Sequence, residues 1–304
     1  MSMMIKEFTR EEIFTKMSKI QNTIAIICDC DETLAPDTTS YLLKENGIDV
    51  NSFWNKMTKL VSEGWDPSLV WLGSIVELIK SGKISQDTNK KLKQFGKKLP
   101  LYNGVPEFIP EIKSMVRKNK DFVRAGVTVE FFIISSGLED LIKGSKLSRE
   151  FTDIFASTFA EDSKTGKISS IKSAVSFTEK TKFLYAINKG ITGKDLKKYP
   201  YSVNDAIKRV DRRIPFEYMI YLGDSPGDIP CFSMIRGYGG NCIGIIGKKT
   251  VHKGFELARG KRTTVGPYSR NYKKESDLRL VLDTIVKKIG YEIVDNIKTK
   301  QSIV

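Results

Sequence analysis

The sequence predicts an α/β fold: a parallel sheet covered by helices, with a small helical domain inserted after the first strand. Three observations carry this reading. Short apolar runs at 24–28, 127–134 and 218–222 each stop abruptly at a polar cluster. Runs of that length without polar alternation look like strands buried on both faces, as in a parallel sheet. Between the first two runs, residues 37 to about 100 contain no strand-like run and place apolar residues at helical spacing instead.

In chain order, Lys6, Glu7, Arg10, Glu11 and Glu12 interleave with apolar residues as in an amphipathic helix, with no secretory core. The first strand then runs into Cys28-Asp29-Cys30-Asp31-Glu32-Thr33-Leu34, and Pro36 breaks the pattern. Helical spacing appears in Ser52 to Val61 and Pro67 to Ile79, followed by the Lys-rich Asp87 to Lys98. Pro100 and the Asn103-Gly104 turn close the insertion, and Val105 to Arg117 starts a new amphipathic helix with Pro106 near its first turn. The second run, Val127 to Ile134, ends in Ser135-Ser136-Gly137, with a helix expected from Leu138 to Lys143. Phe151 to Phe159 and the turn Asp162 to Gly166 suggest a strand and hairpin. Lys180 and Lys182 stand at the start of a helix, Phe183 to Ile187, that stops at Gly190. Residues 190–217 are polar and irregular. The third run, Tyr218 to Leu222, ends in Gly223-Asp224-Ser225-Pro226-Gly227-Asp228. Ile243 to Ile246 is a short fourth strand, and Asp277 to Ile289 is helical.

With 304 residues, 40% of them hydrophobic and 28% charged, the composition suits a large core plus a second small domain. No apolar run approaches a membrane span, so a cytoplasmic protein without a membrane partner is expected. Cys28 and Cys30 flank Asp29 and read as buried free thiols. The net charge of +14 admits a nucleic-acid partner. However, Lys90, Lys91, Lys93, Lys97 and Lys98 have no aromatic residues interleaved as a stacking platform, so a solvated helix face is favoured over nucleic-acid binding.

Side chains alternate along an extended chain, so Asp29 and Asp31 should project to one side where the first strand ends. Open parallel sheets place ligands at the carboxyl ends of their strands. The serines after the second run sit where hydroxyls and backbone N–H groups hold an anion.

Three runs thus end in Asp29 and Asp31, then Ser135, then Asp224 and Asp228, with a lysine at a helix start between the last two. In these motifs the chain resembles the haloacid dehalogenase (HAD) superfamily, in its phosphoserine-phosphatase-like branch with a helical cap. The resemblance implies a Rossmann-like core (residues 1–36 and 101–304), a helical cap domain (37–100) and Mg2+. It also implies a phosphatase acting on a small-molecule phosphomonoester. Asp29 would be the nucleophile and Asp31 the general acid and base. Ser135, or in its place Ser136, would hold a phosphoryl oxygen together with Lys180, which is preferred to Lys182. The metal site would comprise Asp29, the carbonyl of Asp31, Asp224 and Asp228, the last orienting the lysine or a metal-bound water. Mg2+ and Lys180 should hold Asp29 ionised, while like charge from Asp29 should favour the protonated form of Asp31.

The chain departs from that branch in three ways. Thr38 stands where phosphoserine phosphatases usually carry glutamate, and the insertion contains no arginine, so phosphoserine is disfavoured. The Ser225-Pro226-Gly227 loop is also unusual. Glu32 faces either a substrate amine or hydroxyl or its own loop, and Thr33 orients that loop. Tyr41, Trp54, Trp65 and Trp71 either sandwich a ligand or, at their helical spacing, form the core of the insertion. His252, the only histidine, reads as a surface residue. The alternatives to a phosphatase are a phosphotransferase or mutase using the same aspartyl phosphate, and a non-catalytic binding protein on this fold.

Overall fold

The computed structural model describes residues 21–247 and 251–302, and the helix expected around Lys6 to Glu12 lies outside the described residues. Strand β1 (Thr23–Cys28) is buried along its whole length. Around it lie β2 (Thr128–Leu138), β3 (Asp153–Glu161), β4 (Ile168–Ser173), β5 (Met219–Gly223), β6 (Asn241–Ile246) and β7 (Val265–Ser269). They form a seven-stranded sheet in the order β4-β3-β2-β1-β5-β6-β7. Only the β3–β4 pair is antiparallel, the hairpin expected after Phe159. The chain builds outward on one side of β1 through β2, β3 and β4, then returns to β5 on the other side. This reversal makes the carboxyl end of β1 the switch point at which doubly wound sheets bind ligands.

Helices α1 (Thr38–Glu45), α2 (Val50–Ser62), α3 (Pro67–Lys80) and α4 (Asn89–Gly96) separate β1 from β2. Each begins at a polar cap. Asp37, Asp49, Asp66 and Thr88 accept from the backbone N–H groups of Ser40, Ser52, Leu69 and Lys91, satisfying donors that the first helical turn leaves unpaired. The lysines of α4 and its exit, Lys90 to Lys98, are exposed, the solvated face read from the sequence.

Helices α5 (Val105–Lys118), α6 (Lys120–Arg124), α7 (Glu139–Gly144), α8 (Glu179–Lys189), α9 (Gly193–Lys198), α10 (Ile229–Gly237), α11 (Val251–Arg259) and α12 (Asp277–Ser302) complete the described fold. The insertion touches the sheet layer where α4 crosses α7. A Cβ at Gly96 would lie 2.0 Å from the Leu141 carbonyl oxygen, and one at Gly144 would lie 1.9 Å from that of Lys93. Glycine is therefore required at both positions for the two backbones to approach this closely. Ile168 N–H also donates to the Asp87 carbonyl at 2.8 Å, and the Asn89 side chain donates to that of Phe159.

The second strand runs on through Ser135, Ser136 and Gly137, so α7 starts at Glu139 rather than Leu138. Its register against β3 shifts between Ile134 and Leu138, and a bulge of this kind re-aims side chains beside a site. The polar stretch after Gly190 holds α9 and three short 3-10 turns. All four cysteines are buried free thiols, and among the described residues no helix is long and apolar enough to cross a membrane.

Candidate active site

The site grows from the ends of β1, β2 and β5 and the first turn of α8. Beyond Cys28 the chain leaves the sheet, and Asp29 N–H donates to the Leu222 carbonyl at 2.9 Å, tying the aspartate to the neighbouring strand. Lys180, in the first turn of α8, reaches the same place. Its Nζ lies 3.0 Å from Asp29 Oδ1 and 2.7 Å from Asp228 Oδ1, with all three side chains buried. Lys182 points elsewhere, paired with Glu179 and lying over the Phe183 ring.

Asp228 is saturated. Its Oδ1 accepts from Lys180 and from Tyr221 OH, and its Oδ2 from Asp224 N–H, Ser225 N–H and Ser225 Oγ. A carboxylate offers about four lone-pair positions, so Asp228 is occupied as a bracket for the loop after β5. The Ser225-Pro226-Gly227 sequence serves that purpose. Ser225 exchanges hydrogen bonds with Asp228 across a single 3-10 turn, with Pro226 at its first position. Tyr221 had no role in the sequence reading, although a phenol inside an apolar strand needs a polar partner and so gave a signal.

Asp31 is held differently. Its Oδ1 accepts from Thr38 N–H at 2.7 Å, at the start of α1. Its other oxygen faces Gly137: a Cβ there would sit 2.6 Å from Asp31 Oδ2, 2.8 Å from Thr38 Oγ1 and 3.2 Å from Ser135 Oγ. Ser135 is fully buried and its Oγ accepts from Gly137 N–H at 3.0 Å, whereas Ser136 is half-buried and its carbonyl accepts from Ser157 Oγ. The hydroxyls of Thr33 and Thr38 are buried without a hydrogen-bond partner.

Burial dominates the electrostatics. It pushes Asp29 up to about 7, against the pull of Lys180, with Asp228 adding to the rise. Lys180 alone therefore does not keep Asp29 in the ordinary carboxylate range, because burial outweighs its pull. Asp224 is pushed up to about 9 by burial, then by Asp29 and Asp228. Asp31 is raised well above its usual range by burial first, then by Asp37, and only then by Asp29, so the like charge expected from Asp29 is the smaller of the two. For Lys180, burial works against the ammonium, but Asp228 and Asp29 more than restore it.

Asp29, Asp224 and Asp228 each offer a carboxylate oxygen within 4.8 Å of the others, all buried. Among the described residues one ammonium, that of Lys180, bonds these acids, and beyond burial it is Asp29 and Asp228 that push Asp224 upward. A hard divalent cation that favours oxygen ligands fits such a set. Asp29 and Asp224 have oxygens to give it, while those of Asp228 are taken.

The remaining sequence candidates fall outside this cluster. Glu32 turns onto its own loop, accepting from Asp37 N–H at 3.2 Å and pairing with Arg270. Trp71 is core, Trp54 donates to Ser40 Oγ and packs on Phe53, Tyr41 packs on Phe95, and Trp65 is exposed. Trp71, Trp54 and Tyr41 match the packing alternative, whereas Trp65, exposed at the surface, does not belong to that core. His252 is exposed.

No protein-family model matches the chain. An uncharacterized protein of Borreliella burgdorferi is 27% identical over 287 residues, covering 86% of this chain and 96% of that one. Among solved structures, a phospho-aspartyl intermediate analogue of phosphoserine phosphatase aligns with a TM-score of 0.50 at 18% identity, over 86% of this chain and 99% of that one. A HAD family hydrolase of Salmonella enterica serovar Typhi aligns at 0.47 and 18% identity, over 79% of this chain and 66% of that one. The mixed, mostly parallel sheet and its helices thus have the Rossmann-like fold of HAD proteins.

Proposed function

We propose that this chain, built on the HAD fold, is a Mg2+-dependent phosphatase that hydrolyses a small phosphomonoester through an aspartyl phosphate on Asp29. One observation carries the reading. A buried lysine bonds the strand-end carboxylate Asp29 and the bracketing Asp228, while Asp31 and Ser135 converge across Gly137 at the same end of the sheet.

In this reading Asp29 and Asp224, with the main-chain carbonyl of Asp31, hold the cation. When bound, it neutralises charge so that an anionic carboxylate can approach an anionic phosphate. The other steps belong to the protein's own groups. Lys180 and Ser135 hold phosphoryl oxygens and align the ester for in-line attack. An Asp29 oxygen forms a bond to phosphorus as the ester P–O bond breaks, and Asp31, kept protonated by burial and by Asp37, gives its proton to the leaving oxygen. Asp31 then takes a proton from water, whose oxygen attacks phosphorus and releases Asp29 and inorganic phosphate. Asp228 keeps Lys180 and the Asp224 loop in place.

The helices of residues 37–100 would act as a cap over this site, excluding water during transfer. Phosphoserine is a poor candidate substrate. The position of Thr38 offers a neutral hydroxyl beside Asp31, and the insertion has no arginine for a substrate carboxylate.

The reading is tested by phosphate release from a panel of small phosphomonoesters, with Mg2+ or with chelator. Metal-dependent turnover in the wild type that disappears in folded Asp29→Asn is the expected result. A folded Asp29→Asn variant with full turnover would rule the reading out.

A further inference from the structure

Arg270 lies beyond the motifs of the resemblance, directly after β7, yet it reaches the loop that carries both catalytic aspartates. Its Nη1 donates to the Glu32 carboxylate, to the Glu32 carbonyl at 3.3 Å and to Tyr102 OH. Its guanidinium lies 4.4 Å from the centroid of the Tyr102 ring. Its own N–H donates to the Ile246 carbonyl at 3.2 Å, and a Cβ on Gly247 would sit 1.8 Å from Nη2, so the guanidinium fills the space beside that glycine.

The groups it gathers are not a random set. Glu32 follows Asp31 directly and has φ +56, a left-handed backbone uncommon outside glycine. Such a conformation persists only where its surroundings over-determine it. Glu32 N–H donates to the Ala35 carbonyl at 2.7 Å, and Glu32 Oε1 accepts from Asp37 N–H, so the chain leaving for the helical insertion is tied to the same residue. Tyr102 stands where the chain returns from the insertion, and its N–H donates to the Leu34 carbonyl at 3.0 Å. One guanidinium therefore joins the nucleophile loop to the returning linker, and Glu32 links that pair to the outgoing one.

We infer that Arg270 is a positioning residue for the phosphoryl-transfer site, clamping Glu32 and Tyr102 so that Asp29 and Asp31 keep their geometry and the two linkers of the insertion move as a unit. The inference rests on the phosphatase reading for its kinetic consequence. The clamp itself is independent of that reading. Arginine suits the role because its planar fork bonds a carboxylate, a carbonyl and a hydroxyl while stacking on a ring, which a lysine cannot reproduce.

The test combines kinetics with hydrogen exchange on the full chain. In Arg270→Ala, kcat should fall on the order of 10- to 100-fold with KM little changed, the signature of lost alignment. Backbone amides of residues 32–37 should exchange faster than in the wild type. Added guanidinium ion should recover part of kcat in Arg270→Ala but not in wild type, since the vacated slot beside Gly247 accepts it. Tyr102→Phe keeps the ring under the guanidinium and should lose less. If Arg270→Ala does not fold, Glu32→Gln removes the ion pair at constant shape and should show the same kcat loss and faster exchange. Unchanged kcat in an active, folded variant would overturn the inference, whatever the exchange shows. If the wild type hydrolyses nothing, the phosphatase reading fails instead, and unchanged exchange at residues 32–37 would then overturn the clamp while faster exchange would support it.

Discussion

Lys180 donates to Asp228 at 2.7 Å across 48 residues of sequence, both side chains withdrawn from solvent. The same ammonium lies 3.0 Å from Asp29. This pairing joins the first turn of α8 to the loops after β1 and β5, and it sets the charge balance of the whole site.

Replacing Lys180 by methionine keeps the stem and removes the charge. Breaking a buried pair from one side costs about 3–5 kcal/mol where no relaxation follows. Here Asp29 can take up a proton instead, since losing Lys180 removes the charge that opposes burial. The stability deficit of Lys180→Met should therefore be small at acidic pH and widen as pH rises towards 7. Thermal melts across pH check this, and a deficit independent of pH would contradict it. Turnover should be lost throughout.

Metal removal should show in stability as well as activity. Asp29 and Asp224 are raised from 3.8 to about 7 and about 9, so the metal-free native state holds protons that the unfolded chain has released. The native state then binds more protons than the unfolded one between about pH 4 and 9, and stability falls as pH rises through that window. Chelator-treated protein should melt at progressively lower temperature from pH 5 to 8. Mg2+ should raise the melting temperature most at the upper end, where the carboxylates are ready to ligate it. Asp224→Asn should abolish the Mg2+ effect.

Asp31→Asn keeps the size and the bond from Thr38 N–H but has no proton to give or take. A fall in kcat of about 10²- to 10⁴-fold is expected for alkyl esters, with a smaller effect on formation of the phosphoenzyme from aryl phosphates, whose leaving oxygen needs less help. Rapid-quench comparison of the two ester types measures it, and equal losses in that first step would argue against the donor role.

Gly144→Ala tests the contact between the insertion and the rest of the chain. The new methyl would meet the Lys93 carbonyl at 1.9 Å, and moving that backbone costs about 1–3 kcal/mol in overpacked sites. The melting temperature should drop, and KM should rise if α4 is displaced from α7. A variant as stable as wild type would show that the two helices part freely.

Much of the fold could be read from the chain because a buried parallel strand has a plain signature: Ile24 to Cys28, Phe131 to Ile134 and Met219 to Leu222 are apolar without interruption and all buried. Strand β7 was missed because Val-Gly-Pro-Tyr-Ser lies at the sheet edge, half exposed, and so carries no hydrophobic run. Helices α10 and α11 were missed for a related reason, being short, with glycine and proline blurring their period. The strand-end acids and Lys180 were legible because chemistry at that place needs charged residues close to apolar runs. Arg270 was not, since a lone arginine in a polar tail looks like any surface cation, and only the fold brings it to Glu32, 238 residues away. The ranking of Asp37 above Asp29 as the charge that raises Asp31 was equally invisible, because it depends on how the chain turns into α1.

The central claim is that Asp29 carries the phosphoryl group, and the most direct measurement is acid-quenched mass spectrometry of the protein turning over a small phosphomonoester with Mg2+. The expected result is a gain of one phosphoryl mass that localises to Asp29, is lost on base treatment, and is absent in Asp29→Asn. A phosphoryl group on any other residue, or steady turnover with no adduct at any quench time, would contradict it.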